Sequence, residues 1–308
     1  MKRIFVINPT SGKGFNQNSI NELQNFFSPL IGPIDYIVSA NRDDFILKTQ
    51  AYLKKGYQEI VAIGGDGTIN AAVNGFFENG KLINPDAFLI VSQNGTGSDY
   101  YRSITYNKNV TDWRTLVTHF KRKKVDLGLI EINDSKKLYF NNITGIGFSA
   151  KVVDDKNRQP KFIPKKLSYI VPTLKNLVSF QAVPLRITID QAIFDNQFKA
   201  IFIAKGKFSG GGIPFGALSE LDNGLFDISL ILDLDIFEGG TFFNKILLTK
   251  DYKFTDFPQA KRVAASSIEI VATTKTHFDI EVDGELFLEV KKVKVSLLPQ
   301  TITIGFPL

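Results

Sequence analysis

The sequence predicts an α/β protein in two parts, a Rossmann-like parallel-sheet domain followed by an antiparallel β-sandwich domain. Three observations predict it. Between Arg3 and Val91, short buried-strand runs alternate with stretches of helical apolar spacing. Beyond Val125, short strands separated by turn residues dominate. Between them, at the strand ends of the first part, stand glycine-rich polar loops such as Gly64-Gly65-Asp66-Gly67-Thr68.

Taken in order, Arg3–Ile7 is a strand ending at Asn8-Pro9, and Asn18–Phe27 has helical spacing through Ile20, Leu23, Phe26 and Phe27. Ile34–Val38 is a second strand. A helix near Asp43–Lys54 carries acidic residues in its first turn, where they complement the helix dipole. Glu59–Ile63 is a third strand, Asn70–Phe77 a helix and Phe88–Val91 a fourth strand. Lys121-Arg122-Lys123-Lys124 reads as a solvated helix end. Strands are then expected over Val125–Ile132, Leu138–Ile143, Leu185–Asp190, Phe198–Ala204, Phe226–Leu232, Ser267–Val271, Phe278–Val282 and Val293–Leu297. One helix, around Leu167–Phe180, interrupts them.

Composition bounds the function. The 308 residues are 44% hydrophobic, enough for a real core, and the absence of cysteine excludes disulfides, thiolate metal sites and cysteine nucleophiles. Only Ile4–Ile7 follow Met1-Lys2-Arg3 before Asn8-Pro9, too short an apolar run for a signal peptide, and no segment has the ~20 apolar residues of a membrane span. The expectation is a cytoplasmic protein. A net charge of +6 and a pI near 9.2 suit an anionic partner. Basic residues interleaved with exposed aromatics are lacking, which argues against nucleic acid. His119 and His277 are isolated and suggest neither a triad nor a metal site.

Gly64–Thr68 stands where a buried strand meets a helix. Glycines let a ligand approach the backbone, and successive N–H groups with the helix dipole attract anions. An acidic Asp66 inside that nest calls for a compensating cation or hydroxyl. The plain alternative is a tight strand-to-helix turn with Thr68 as cap. Asn8-Pro9-Thr10-Ser11-Gly12-Lys13-Gly14 is a second phosphate candidate, though not a Walker A loop, because Ile7 stands where its first glycine would be. Asn94-Gly95-Thr96-Gly97-Ser98-Asp99 follows the fourth strand. Three such loops at the carboxyl ends of one parallel sheet would converge on a single ligand. By pattern alone, Asp283-Gly284-Glu285 is a hairpin turn.

Together these segments resemble the diacylglycerol kinase catalytic-domain family, which includes bacterial diacylglycerol kinases and the sphingosine and ceramide kinases. The resemblance rests on Asn8–Gly12, on Gly64–Thr68 with Asn70, and on Gly95-Thr96 with Asp99 and Arg102. Val125-Asp126-Leu127-Gly128, Gly145-Ile146-Gly147-Phe148, Gly210-Gly211-Gly212 and Asp283-Gly284-Glu285 extend it over nearly the whole chain. It implies an ATP-dependent kinase acting on the hydroxyl of a lipid alcohol, first of all diacylglycerol, with Mg²⁺ required. An ATP-binding domain would cover 1–125, with 297–308 returning to it. A lipid-substrate domain would cover 126–296, with the active site in the cleft between them.

The same resemblance implies nucleotide contacts from Asn8, Pro9, Thr10, Ser11 and Gly12, from Gly64, Gly65, Gly67, Thr68, Ile69, Asn70 and Ala71, and from Ser39, Gly95 and Thr96. It places the general base at Glu285 and makes Asp66 the organiser of magnesium and phosphate, although sphingosine kinases assign the base to the equivalent of Asp66. A structural metal would take the Asn223 side chain and the backbone of Glu220 and Leu225. Here the chain departs from the family, reading Asp222-Asn223-Gly224 where Asp-Asp-Gly is frequent. Ser98 replaces a usual Asn and Tyr101 a small residue. Lys151, Lys156, Arg158, Lys161, Lys165 and Lys166, mixed with Phe162, Ile163 and Leu167, suit an anionic membrane surface. A homodimer is left open. The rivals are an NAD kinase, which shares the Gly-Gly-Asp-Gly loop, and a lipid- or nucleotide-binding homologue that has lost turnover. Asn8–Gly12 and Asn70 favour the lipid branch over the first, while Asn223 and Ser98 are the support for the second.

Overall fold

In a computed structural model of the chain, residues 1–12, 14–95, 97–110, 112–159, 171–173, 175–176, 179–248, 257–273 and 277–308 are described. Contacts divide it into one unit of Met1–Val125 with Gln300–Leu308 and another of Asp126–Pro299.

The first unit is built on β1 (Arg3–Ile7), β2 (Tyr36–Val38), β3 (Glu59–Ile63) and β6 (Phe88–Val91), with a two-strand hairpin of β4 (Phe77–Glu78) and β5 (Lys81–Leu82) beside them. The sheet runs β2-β1-β3-β6 and every neighbour is parallel. The C-terminal strand adds Thr303 and Ile304 beside Phe88 and Leu89, again parallel. Strands covered on both faces need continuous apolar runs, and Ile4–Ile7, Ile60–Ile63 and Phe88–Val91 are all buried. The helices are capped as the sequence demands. In α1 (Gln17–Ile31) Asn16 accepts from the N–H of Ser19, and in α2 (Arg42–Lys54) Asn41 accepts from that of Asp44.

Two expectations fail here. The third helix, α3 (Asp66–Gly75), begins four residues before Asn70, so the glycine loop is itself the first helical turn. Gly65 is its N-cap, with the N–H groups of Thr68 and Ile69 on its carbonyl, and Thr68 does not cap it. Nor is Lys121–Lys124 a helix end. It lies in β7 (Phe120–Ile132), with Arg122 over the Phe88 ring at 4.1 Å and Lys123 over Phe306 at 5.6 Å. Long basic side chains can line a strand when their stems lie on aromatic faces.

Among the described residues, the strand pairs of the second unit are antiparallel. β8 (Lys136–Phe140) pairs with β7, and β9 (Ile143–Gly147) lies between β11 (Ala192–Ala204) and β15 (Phe278–Val282). Beyond β11 come β10 (Val183–Ile189), β14 (Ser267–Ala272) and the first residues of β17 (Lys292–Pro307). β12 (Phe226–Leu232) joins β11 to β13 (Ala260–Ala265), and β16 (Glu285–Val290) closes the hairpin with β15. One apolar cluster is centred on Ile146, Ile201, Ile228 and Ile280, and a second on Ile143, Phe202, Ile231 and Phe242. This is a β-sandwich, as expected.

The strand expected over Leu138–Ile143 is divided, because Asn141, Asn142 and Ile143 give their N–H groups to the Asp283 carboxylate rather than to a ladder. Sequence spacing also missed α4 (Asp99–Ile104), α5 (Phe148–Asn157), α6 (Ile236–Leu248), β13 and β16. Half of the helix expected over 167–180 lies outside the described residues; Val171–Thr173, Lys175, Asn176 and Ser179 are helical.

Candidate active site

Three loops of the first unit are fastened to one another. After β1, Asn8 orders its own loop by accepting from the N–H and hydroxyl of Thr10 at 3.1 and 2.9 Å. Its amide then donates to Thr68 Oγ1 in α3 at 2.8 Å. Ser11 donates to the Asn8 carbonyl at 2.9 Å and accepts from Asn94 Nδ2, in the loop after β6, at 3.2 Å. The loops after β3 and β6 touch through bare backbone: a Cβ on Gly95 would stand 2.4 Å from Gly65 Cα. Gly12 has φ +63°, and a Cβ there would meet Asn94 Oδ1 at 3.0 Å.

Asp66 is half-buried at the start of α3 and accepts from the N–H of Tyr100 at 3.0 Å. Burial pushes its carboxyl above the usual carboxylate range, against the pull of the Tyr100 and Asp99 N–H groups. The Asp66 and Asp99 Oδ2 atoms flank Gly97, 3.2 and 3.0 Å from where a Cβ would stand. Arg102 Nε donates to the Gly97 carbonyl at 3.1 Å. Ser98 caps α4 at φ +50°, a left-handed conformation that Asn tolerates better than Ser.

Among the other expected nucleotide residues, Ser39 is buried and donates to the Ile7 carbonyl at 3.1 Å, closing the turn after β2. Asn70 Oδ1 accepts from Arg42 at 2.8 Å and Asn74 at 3.1 Å. Ile69 and Ala71 bury their side chains in the core, so only their backbone could meet a ligand. Pro9 follows Asn8 in the loop after β1, its carbonyl accepting from the Phe15 N–H at 2.8 Å; Gly64 donates its N–H to Ser92 Oγ at 3.0 Å, and Gly67 is exposed. Thr96 and Lys13 fall outside the described residues, as do Lys161, Phe162, Ile163, Lys165, Lys166 and Leu167.

In the second unit, Asp283 and Gly284 take φ +48° and +86°, a tight turn in which Val282 pairs with Glu285. Asp283 is not aimed outward. Its carboxylate gathers three backbone N–H groups between 2.8 and 3.2 Å, pinning the turn to Asn141–Ile143. Half-buried Glu285 is thereby fixed at the head of β16. Two residues before the turn, Glu281 is buried, and loss of solvent pushes its carboxyl up to about 8. It accepts from the Gly284 N–H at 2.8 Å. Gly145 leaves room for it, since a Cβ there would meet Ser149 Oγ at 2.1 Å and Glu281 Oε1 at 3.0 Å. Asn223 Oδ1 and the Leu225 carbonyl, expected at a metal, instead meet at the Lys205 ammonium, 3.1 and 3.0 Å away. Glu220, the third expected ligand, raises the Lys205 and Lys207 pKa values only through its charge, against the burial that lowers both. Among the described residues no three His, Asp or Glu side chains are grouped for a metal.

Two family profiles cover this layout. The Diacylglycerol kinase catalytic domain matches residues 2–130, and the YegS C-terminal NAD kinase beta sandwich-like domain matches residues 142–306. The chain belongs to the diacylglycerol kinase catalytic-domain family.

Within this family the chain is 24% identical over 280 residues to a diacylglycerol kinase of Staphylococcus haemolyticus, covering 91% of this chain and 81% of that one. A diacylglycerol kinase of Staphylococcus aureus is also 24% identical, with 91% and 84% covered. A solved structure of a diacylglycerol kinase from Bacillus anthracis superposes with a TM-score of 0.72 at 19% identity, covering 99% of this chain and 96% of that chain. The fold is therefore that of the family. No helix among the described residues is long and apolar enough to cross a membrane. Sequence spacing passed over Arg42 and Glu281 as parts of the site's frame. Only Gly145, whose Cβ would crowd Glu281, hinted at a tight neighbour.

Proposed function

We propose that this lipid-kinase family member transfers the γ-phosphate of ATP to the hydroxyl of a lipid alcohol, diacylglycerol first among them. The observation carrying the reading is the joining of three strand-end loops by Asn8–Thr68, Ser11–Asn94 and Gly65–Gly95. Phosphoryl transfer asks a protein chiefly for positioning and charge stabilisation. Backbone N–H groups at the start of α3 and the small residues Asn8–Gly12 supply both for a polyphosphate. Ser39, Asn70 and Thr96 would complete the nucleotide contacts.

Asp66, with Asp99 beside it, suits a magnesium ion carried in by the nucleotide, because that hard ion takes one or two carboxylates besides phosphate and water oxygens. The ion would offset phosphate charge when bound. A carboxyl held above its ordinary range by burial is one that a cation would return to its charged form. Glu285 would accept the proton of the acceptor hydroxyl, as in the bacterial members. The basic stretch through Lys161, Lys165 and Lys166 would hold the enzyme on an anionic membrane surface.

The likeness of residues 142–306 to an NAD kinase sandwich makes NAD the competing acceptor. The test offers radiolabelled ATP and Mg²⁺ with diacylglycerol, a panel of other lipid alcohols in mixed micelles, and NAD. Label in a lipid product supports the reading. Label in NAD alone, or ATP binding without transfer to any acceptor, overturns it.

A further inference from the structure

Lys205 directly follows β11 and is fully buried, with its side chain at 0% exposure. A buried ammonium is costly unless its charge is paired and its N–H groups are used. Here both conditions hold. Nζ lies 2.8 Å from Asp126 Oδ2, 3.1 Å from Asn223 Oδ1 and 3.0 Å from the Leu225 carbonyl. An ammonium has three donors, and three oxygens of three kinds receive them. Asp126 Oδ2 also accepts from the Gly224 N–H at 2.8 Å, and the Asp126 N–H donates to the Leu221 carbonyl at 2.7 Å. The 221–225 loop is thus closed around one positive charge.

Two of those oxygens, Asn223 Oδ1 and Leu225 O, are the ones expected to bind a structural divalent cation. The site does not fit one. Asn223 offers a neutral oxygen where a hard cation prefers a carboxylate, and the point those oxygens face is filled by Lys205. The ammonium is bonded to one carboxylate, Asp126, and the charges of Asp222 and Glu220 also favour it there.

We infer that the Lys205 ammonium serves as a built-in cation at this loop, so that the second unit needs no structural metal there. The consequence reaches the Glu285 turn. The Asn142 carbonyl accepts from the Lys205 and Gly206 N–H groups at 2.8 and 2.9 Å, and the Asn142 N–H donates to Asp283 at 3.2 Å. The loop and the turn are therefore tied through Asn142 without an exchangeable ion.

This inference is independent of which acceptor the enzyme phosphorylates, and its test needs no activity. The melting temperature of the nucleotide-free protein is measured in EDTA and in 10 mM Mg²⁺. Wild type is expected to melt within about 1 °C of the same temperature in both, since only a bound ligand stabilises. The double variant Lys205→Asn with Asn223→Asp is expected to gain at least about 3 °C in Mg²⁺, the rise that roughly tenfold saturation gives a chain of this size. A wild-type rise of that size which disappears in Asn223→Ala overturns the inference. So does a folded double variant that responds to Mg²⁺ no more than wild type. If the double variant does not fold, the wild-type and Asn223→Ala arms decide alone.

Discussion

Asn8 and Thr68, sixty residues apart, meet through a 2.8 Å hydrogen bond from the Asn8 amide to the Thr68 hydroxyl. That bond sets the loop after β1 against the first turn of α3. Asn8 spends its amide oxygen on Thr10, so one side chain determines both the shape and the placement of its loop.

Asn8→Ala should therefore weaken nucleotide binding about tenfold with the fold retained, the effect of losing a net hydrogen bond of about 1 kcal/mol and the loop order it maintains. Thr68→Val should act in the same direction, and the double variant should lose little more than either alone. Nucleotide affinities of the four proteins check this. Fully additive losses would show that the pair does not act as a unit.

Gly95→Ala places a methyl group 2.4 Å from Gly65 Cα, where only backbone can yield. A loss of roughly 1–3 kcal/mol in stability is expected, together with weaker ATP binding. Denaturant unfolding and a nucleotide titration measure the two effects. Gly67→Ala, whose Cβ meets nothing within 4 Å, is the control and should change stability by less than about 1 kcal/mol.

Asp66→Asn and Glu285→Gln should separate nucleotide handling from proton transfer. Asp66→Asn is expected to leave less than about a tenth of the activity, a barrier rise above ~1.4 kcal/mol, and to disturb Mg²⁺-ATP binding as well. Glu285→Gln keeps the shape but cannot take a proton at neutral pH, so turnover should fall at least ~10²-fold with ATP affinity nearly unchanged. Wild-type turnover in Glu285→Gln, with a pure turnover loss in Asp66→Asn, would exchange the two roles.

Glu281 makes stability depend on pH. Its folded carboxyl titrates at about 8 against an ordinary 4.5, because burial and the nearby Asp283 charge outweigh the Gly284 N–H and Lys156. The folded state then holds a proton that the unfolded chain has released. The stabilisation is complete below about pH 4.5 and is lost as pH rises through about 8, by up to about 5 kcal/mol. Glu281→Gln should flatten that fall in melting temperature between pH 5 and 8. An unchanged slope in the variant would place the titration elsewhere.

The parts legible in the sequence are those written locally. Continuous apolar runs marked β1, β3 and β6, the glycine loops marked their ends, and Asp283-Gly284 marked a two-residue turn, because burial pattern and backbone freedom depend on adjacent residues. The long β17 escaped notice beyond Leu297, and Lys121–Lys124 looked like a helix end, because partners distant in the chain make those residues strand. The same holds within the site. That Asn8 finds Thr68, that Asp283 takes the N–H groups of Asn141–Ile143, and that Lys205 fills the oxygens of Asn223 and Leu225 are matters of register and closure. The sequence by itself determined which chemistry-bearing residues stand at strand ends. Only the tertiary structure decided which of them meet and which are consumed in holding the others, since a polar side chain taken out of water must find its partner across the fold.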